Sequence, residues 1–225
     1  MNRMKIKQIK TNWLYIILIF PTIFAVLALS HFGFFFKSGT AGAGIIILLI
    51  LYFSKLPKAK DILFLMSAFL FSIVGDWFLS NKSGDANMFV YGIGFYFLAH
   101  FGYLIYALQN GRINRIFTAV LLSAFLLFFA FVLYPVIDNH ILMFAALVYL
   151  VISCLSLGFA VGLQSTGTEK WAYVFGIFLI LFSDTIIAFK EFVGYRELDF
   201  LILPTYYLAH ISIIFSLIRR WLKNN

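Results

Sequence analysis

The 225-residue chain has little charge and a single cysteine. Charged residues make up 12% of it, whereas a soluble globular domain carries about 25%. This scarcity excludes an ordinary soluble domain, a disordered chain and a collagen-like fibre. The net charge of +8 is spread over too few charges to build a basic face, so we expect no nucleic-acid partner. The single cysteine, Cys154, excludes a disulfide within the chain and any multi-cysteine metal site.

Hydrophobic residues make up 63% of the chain and aromatic residues 20%, with a mean hydropathy of +0.99. These values predict one integral-membrane domain over residues 1–225. The apolar runs lack the two-residue alternation of membrane strands, so we expect an all-α, polytopic membrane helical bundle. Eight segments are long enough to span a bilayer, and they cover about 13–32, 38–54, 61–80, 87–108, 115–134, 139–163, 171–189 and 199–221.

The distribution of Lys and Arg among the connections predicts the orientation of the chain. Thirteen lie at the termini and in the loops of one side, against four on the other: Lys37, Lys82, Lys190 and Arg196. The positive-inside rule therefore places both termini in the cytoplasm and favours an even number of spans. We expect an integral protein of the bacterial inner membrane, in which these basic residues set the orientation and contact anionic lipid. The N-terminal apolar run is expected to be an uncleaved first span.

Two segments of the chain share a sequence word. Residues 95–100 read Phe-Tyr-Phe-Leu-Ala-His, and residues 205–210 read Thr-Tyr-Tyr-Leu-Ala-His. Each follows a span with a late aspartate, Asp76 or Asp184. Because the copies are four spans apart, we predict a parallel 4+4 duplication with a site between the halves. The predicted halves cover about 1–110 and 111–225.

Asp76 and Asp184 are the two acidic residues that lie well inside predicted spans. An ionisable side chain near the bilayer centre costs about 2.5–3.5 kcal/mol on insertion scales, so such residues usually have a role. Both would lie about 6–8 Å outward from the middle of their spans, at the usual rise of about 1.5 Å per residue. One alternative is a pair of aspartates that only pack helices together. Their matched depth favours a functional pair.

Other polar residues near this layer are candidates for orienting the aspartates or binding a ligand. His100 and His210 each follow a tyrosine by four residues, which places Tyr96 and Tyr206 on the same helical faces. All four could equally be satisfied core residues. Tyr103 extends the first of these faces, and Ser183 directly precedes Asp184. The weaker candidates are Ser72, Tyr149 and Ser153, while His31 and His140 fall at span ends. Two Asp and two His could hold one ion, but no metal-binding spacing appears, so we expect neither a metal nor a cofactor.

Several short sequence motifs together resemble those of the YhhN-like lysoplasmalogenase family. They are Ser72-Ile73-Val74-Gly75-Asp76, Ala99-His100-Phe101-Gly102-Tyr103, Leu181-Phe182-Ser183-Asp184 and the late tyrosines with His210 in the last span. The resemblance covers essentially the whole chain and implies an eight-span enzyme that hydrolyses the vinyl ether of lysoplasmalogens. It also implies that Asp76 and Asp184 are catalytic. The chain departs from the family pattern at Lys37-Ser38, where the family has Lys-Pro.

The resemblance implies a lysophospholipid or other ether lipid as substrate, and a fatty aldehyde and a glycerophospho-alcohol as products. One carboxylic acid would protonate the vinyl ether while the other carboxylate activates water, as two close carboxyl groups can do. A transporter of small solutes or protons is the main alternative, because intramembrane carboxylates in parallel repeats also suit that role. A non-catalytic lipid-binding protein is the third. The expected partners are this substrate and membrane lipid, and the oligomeric state is left open.

Overall fold

A computed structural model describes residues 14–30, 32–54 and 59–224. This part of the chain is helical throughout apart from short connections, and it contains no β-strand beyond one isolated bridge. The helices are α1 (Ile19–Leu29), α2 (Phe34–Phe53), α3 (Ile62–Ser80), α4 (Ala86–Asn110), α5 (Arg115–Phe128), α6 (His140–Val161), α7 (Thr168–Ala188) and α8 (Asp199–Asn224). π-helical segments extend α5 over Phe129–Leu133 and α7 over Phe189–Val193. The all-α prediction is therefore confirmed.

Seven helices, α2 to α8, are long and apolar enough to cross a bilayer. The first apolar helical segment, Leu14–Leu29, contains α1 and is shorter than these seven helices in the part of the chain that the structure describes. The count of eight spans therefore stays a prediction. Many large apolar side chains face outward, including Ile116, Phe131 and Phe53, which are at least 75% exposed. An apolar exterior on all-helical spans is what lipid requires, because helices satisfy every backbone hydrogen bond internally. The chain is an integral membrane protein.

Polar residues in the short connections start several helices. The side chains of Asp85, Asn114 and Asn139 accept hydrogen bonds from the first backbone amides of α4, α5 and α6. These caps pair amide groups that would otherwise lack partners at the helix ends. The sequence placed the start of the second span at residue 38. The helix instead begins at Phe34, directly after Gly33, whose φ of 97° favours glycine.

The helices pack in pairs that repeat after four helices. α3 packs on α4 as α7 packs on α8, and α1 packs on α2 as α5 packs on α6. Contacts between the halves are also matched, since α2 lies against α8 and α6 lies against α4. A parallel duplication would give these pairings. The duplication itself stays a prediction.

Glycines let the helices that carry the aspartates approach their neighbours closely. A Cβ added to Gly102 of α4 would lie 2.6 Å from the carbonyl oxygen of Phe64 in α3. One added to Gly176 of α7 would lie 2.9 Å from the carbonyl oxygen of Ala209 in α8. Between these pairs, the buried Tyr173 donates a hydrogen bond to the Tyr103 carbonyl at 2.8 Å. The two pairs are thereby joined into one core.

Both ends of the described chain lie at the same end of the bundle. Arg219, near the end of α8, donates a hydrogen bond to the hydroxyl of Tyr15 at 2.8 Å. This is the arrangement expected of an even number of spans. The charge count of the sequence rests partly on residues outside the described ranges, namely Arg3, Lys5, Lys7, Lys10, Lys55 and Lys58. The predicted cytoplasmic position of the termini is therefore a proposal, treated below.

Two ion pairs with buried carboxylates lie at this same end. Arg220 donates to the carboxylate of Asp61 at 2.6 Å, and Lys223 lies 2.7 Å from the carboxylate of Glu169. Asp61 and Glu169 stand fifteen positions before Asp76 and Asp184, at the starts of α3 and α7. These contacts join the start of α3 and of α7 to the end of α8.

Candidate active site

The Asp76 carboxylate lies near the end of α3 and accepts hydrogen bonds on both of its oxygens. The hydroxyl of Tyr96 donates to Oδ1 at 2.5 Å, and that of Tyr206 donates to Oδ2 at 3.1 Å. Tyr96 comes from α4 of the first predicted half, whereas Tyr206 comes from α8 of the second. The two tyrosine rings meet edge to face, with centroids 6.3 Å apart. The carboxylate is thus fixed by one donor from each half.

The Asp184 carboxylate, near the end of α7, is held differently. Tyr149 of α6 donates to Oδ2 at 2.5 Å, and the ring nitrogen Nε2 of His100 lies 3.3 Å from the same oxygen. His100 is 1% exposed, and its ring contacts that of Tyr149 edge to face. Within the described residues, Oδ1 of Asp184 has no hydrogen-bond partner. The two partners of Oδ2 therefore orient the carboxyl group, and Oδ1 is left without a partner in this part of the chain.

A small residue precedes each aspartate. A Cβ added to Gly75 would lie 3.1 Å from the ring of Tyr96, so glycine at this position lets that tyrosine lie flat against α3. The equivalent Ser183 is buried and donates a hydrogen bond to the carbonyl of Ile202 at 3.1 Å. Ser183 thereby ties the end of α7 to the start of α8.

The remaining predicted residues lie in the layer beneath the aspartates. His210 is fully buried and makes no hydrogen bond to either aspartate among the described residues. Its Nε2 lies 3.5 Å from the hydroxyl of Tyr103, and its ring packs edge to face on Tyr206. Ser72 is buried in α3, four residues before Asp76. The ring of His210 therefore supports Tyr206, one of the two tyrosines that hold Asp76.

A polar cavity, here called the vestibule, opens above the aspartates at the end of the bundle opposite the described chain ends. It has a volume of about 1230 Å³ including its open mouth. Asp76, Asp184, Tyr96 and Tyr206 line its inner part. The four basic residues of the minority side, Lys37, Lys82, Lys190 and Arg196, line it as well. The sequence showed the asymmetry in charge, but did not reveal that these four residues converge.

A second cavity, here called the chamber, runs from Asp184 between α4, α5, α6 and α7. Its volume is about 670 Å³ including open space at its mouth, and its lining is almost entirely apolar, with residues such as Phe89, Phe125 and Leu150. Asp184 and Tyr96 line both the chamber and the vestibule. Asp184 therefore lies where a polar cavity and an apolar cavity meet, and Asp76 lies on the polar side.

The candidates Ser153 and His140 form no hydrogen bond with either aspartate in the part of the chain that the structure describes. Ser153 donates a hydrogen bond to the Tyr149 carbonyl at 2.8 Å and lines the chamber, while His140 begins α6 on the surface. His31 lies outside the described residues. Throughout the described ranges, no three His, Cys, Asp or Glu side chains are grouped so that they could hold a metal ion.

Comparison with known protein families agrees with this architecture. The model of the YhhN family matches residues 36–217, which is most of the chain and includes both aspartates. No curated protein and no solved structure gives a match. On the strength of the family match, the chain belongs to the YhhN family.

Proposed function

We propose that the protein hydrolyses the vinyl ether bond of lysoplasmalogens, releasing a fatty aldehyde and a glycerophospho-alcohol. The observation that carries this proposal is the position of the aspartates: Asp184 lies where the vestibule meets the chamber, and Asp76 lines the vestibule beside it. A single-chain lipid has its ether bond at the same kind of boundary, between a polar head and an apolar tail. The chamber has an almost entirely apolar lining, which is the environment that a hydrocarbon tail requires.

The two cavities suggest how the substrate would lie. Its alkenyl tail would enter the chamber along Asp184, and its glycerol and head group would lie in the vestibule near Asp76. The alkenyl carbon remote from oxygen is then on the Asp184 side, and the carbon bonded to oxygen is on the Asp76 side. Water would reach the carbon bonded to oxygen through the vestibule.

Asp184 is the proposed acid. Protonation of the remote alkenyl carbon needs a carboxylic acid with an oxygen directed at the substrate, and Oδ1 of Asp184 has no partner among the described residues. Tyr149 and His100 hold the other oxygen, which fixes the direction of the group. The proton moves from Oδ1 to carbon as the ether oxygen shares its electrons, forming an oxocarbenium ion. General acids of this kind contribute about 10²–10⁴-fold to rates.

Asp76 is the proposed base. Its carboxylate stabilises the adjacent cation and takes a proton from water as the water attacks the carbon bonded to oxygen. The product is a hemiacetal. On collapse, the glycerol oxygen leaves with the proton from Asp76, and the hemiacetal hydroxyl returns its proton to Asp184. One water is consumed, and both aspartates regain their starting states.

The orientation in the membrane follows from the charge count. With the termini in the bacterial cytoplasm, as we propose, the vestibule opens on the outer face of the inner membrane. The chamber lies at the depth of the acyl chains, between helices that face lipid. A substrate lipid would then enter from the outer leaflet.

The test compares Asp76→Asn and Asp184→Asn with the wild type in an aldehyde-release assay on purified lysoplasmalogen. We expect each variant to lose about thousandfold in rate, because an amide neither donates the proton nor accepts one from water. Unfolding temperatures identify variants that remain folded. Full activity in either folded variant removes that residue from the reaction. Solute flux in proteoliposomes without any turnover would instead favour a transporter.

A further inference from the structure

The vestibule collects every Lys and Arg that the charge count assigned to this side of the membrane. Lys37 comes from the first turns of α2, Lys82 from the α3–α4 connection, and Lys190 and Arg196 from the end of α7 and the turn that follows. Residues whose only task is to orient the chain need not converge on one cavity. Their convergence indicates that the vestibule takes a negatively charged group.

Two of these four cations are neutralised and two are not. Lys82 pairs with Glu191, and the ammonium of Lys190 lies 2.8 Å from the Asp199 carboxylate. The side chains of Lys37 and Arg196 form no ion pair and no hydrogen bond with any residue in the described ranges. Lys37 is partly buried and acts on Asp76 only through space, beyond the 4 Å of an ion pair. Two unpaired positive charges therefore face the vestibule.

A hydrogen-bond donor in the same cavity also lacks a partner. Tyr207 of α8 is 2% exposed and lines the vestibule, and its hydroxyl has no partner among the described residues. A buried hydroxyl without a partner costs free energy, so such groups usually pair with a ligand or water. This tyrosine is distinct from Tyr206, its neighbour, which holds Asp76.

We propose that Lys37, Arg196 and Tyr207 bind the phosphate of the substrate head group. A guanidinium offers two parallel N–H donors to phosphate, an ammonium adds a point charge, and the phenol supplies one further donor. This inference rests on the proposed function for the position of the lipid tail. It adds that the site selects single-chain lipids that carry a phosphate over those that end in glycerol.

The experiment measures binding to an unreactive lipid, so that it does not depend on turnover. Purified protein in detergent is titrated with 1-O-hexadecyl-glycerol-3-phosphate and with 1-O-hexadecyl-glycerol, which lacks the phosphate. We expect the phosphate to tighten binding to the wild type about hundredfold. Lys37→Gln and Arg196→Gln should each weaken binding of the phosphate lipid about tenfold, and Tyr207→Phe about fivefold, with alkylglycerol binding unchanged. Lys170→Gln, at the other end of the bundle, is the matched control and should change neither.

Equal wild-type affinity for the two lipids would overturn the proposal, as would variants that lose both ligands alike. Inorganic phosphate is the third probe, and we expect no binding of it below millimolar concentrations. If it binds as tightly as the phosphate lipid, with the same sensitivity to Lys37→Gln, the site serves free phosphate and the assignment to a lipid head group is wrong. The phosphate lipid should bind Asp184→Asn as it binds the wild type, so failed hydrolysis and failed phosphate binding are separate results.

Discussion

Tyr149→Phe removes a single polar contact at the proposed acid. The hydroxyl of Tyr149 donates to Oδ2 of Asp184 at 2.5 Å, while its ring meets that of His100 at a centroid distance of 5.2 Å. Phenylalanine keeps the ring and its packing and loses only the donor. Asp184 then retains His100, at 3.3 Å, as its remaining partner.

The size of the effect follows from the lost bond. Asp184 gains negative charge as it gives up its proton in the transition state. A hydrogen bond to a charged group contributes about 1.5–3 kcal/mol, and the weaker contact from His100 remains. A loss of about 2 kcal/mol in the transition state lowers kcat about thirtyfold. Because the ring still lines the chamber, KM should stay within about twofold of the wild-type value. The split between kcat and KM distinguishes a residue that positions Asp184 from one that only holds the fold.

The assay is aldehyde release at several lysoplasmalogen concentrations, with unfolding temperature measured in parallel. Tyr106→Phe is the matched control, since Tyr106 is also buried but accepts a hydrogen bond from Arg220 at the opposite end of the bundle. It should leave kcat unchanged. A kcat for Tyr149→Phe within twofold of wild type would refute the positioning role, as would an equal loss of activity in the control.

Three further predictions test the chamber and the scaffold. Ala146→Phe would fill part of the chamber, and we expect KM for a hexadecenyl substrate to rise about tenfold while KM for an octenyl substrate changes little, as measured by aldehyde release. Gly102→Val would force a side chain against the carbonyl of Phe64, and should lower the free energy of unfolding by about 2 kcal/mol in thermal unfolding. Asp61→Asn would leave Arg220 without its ion pair and should lower the free energy of unfolding by about 2 kcal/mol in the same measurement. The loss is smaller than for a fully buried pair because Arg220 is partly exposed. Unchanged unfolding of the variant would show that the pair contributes no stability.

The sequence revealed the aspartates because charge is rare in this chain. With so few acidic residues, the positions of Asp76 and Asp184 within apolar runs were informative without any structure. Helix positions were also predictable, because an apolar run of span length has few alternatives in lipid. The start of α2 was placed four residues too late, because Lys37 and the Ser38-Gly39 pair interrupt the apolar run after the three phenylalanines that begin the helix.

The partners of the aspartates were less predictable, because they depend on packing between the halves. If the two halves were equivalent, Tyr206 would bind Asp184 as Tyr96 binds Asp76. Tyr206 instead donates its hydrogen bond to Asp76, in the other predicted half. Tyr149 ranked as a weak candidate, but its position on α6 brings it to Asp184. In the sequence, Lys82 contributed only to the charge count, and the fold shows that it lines the vestibule.

The most direct measurement of the proposed reaction follows the proton. Wild-type protein is supplied with lysoplasmalogen in D₂O, and the aldehyde is reduced at once to the alcohol, which prevents later exchange of the label. Proton transfer from Asp184 to the remote alkenyl carbon predicts one deuterium at that carbon, next to the former carbonyl, in every product molecule. An aldehyde without deuterium there, or the absence of any aldehyde, would contradict vinyl ether hydrolysis at this site.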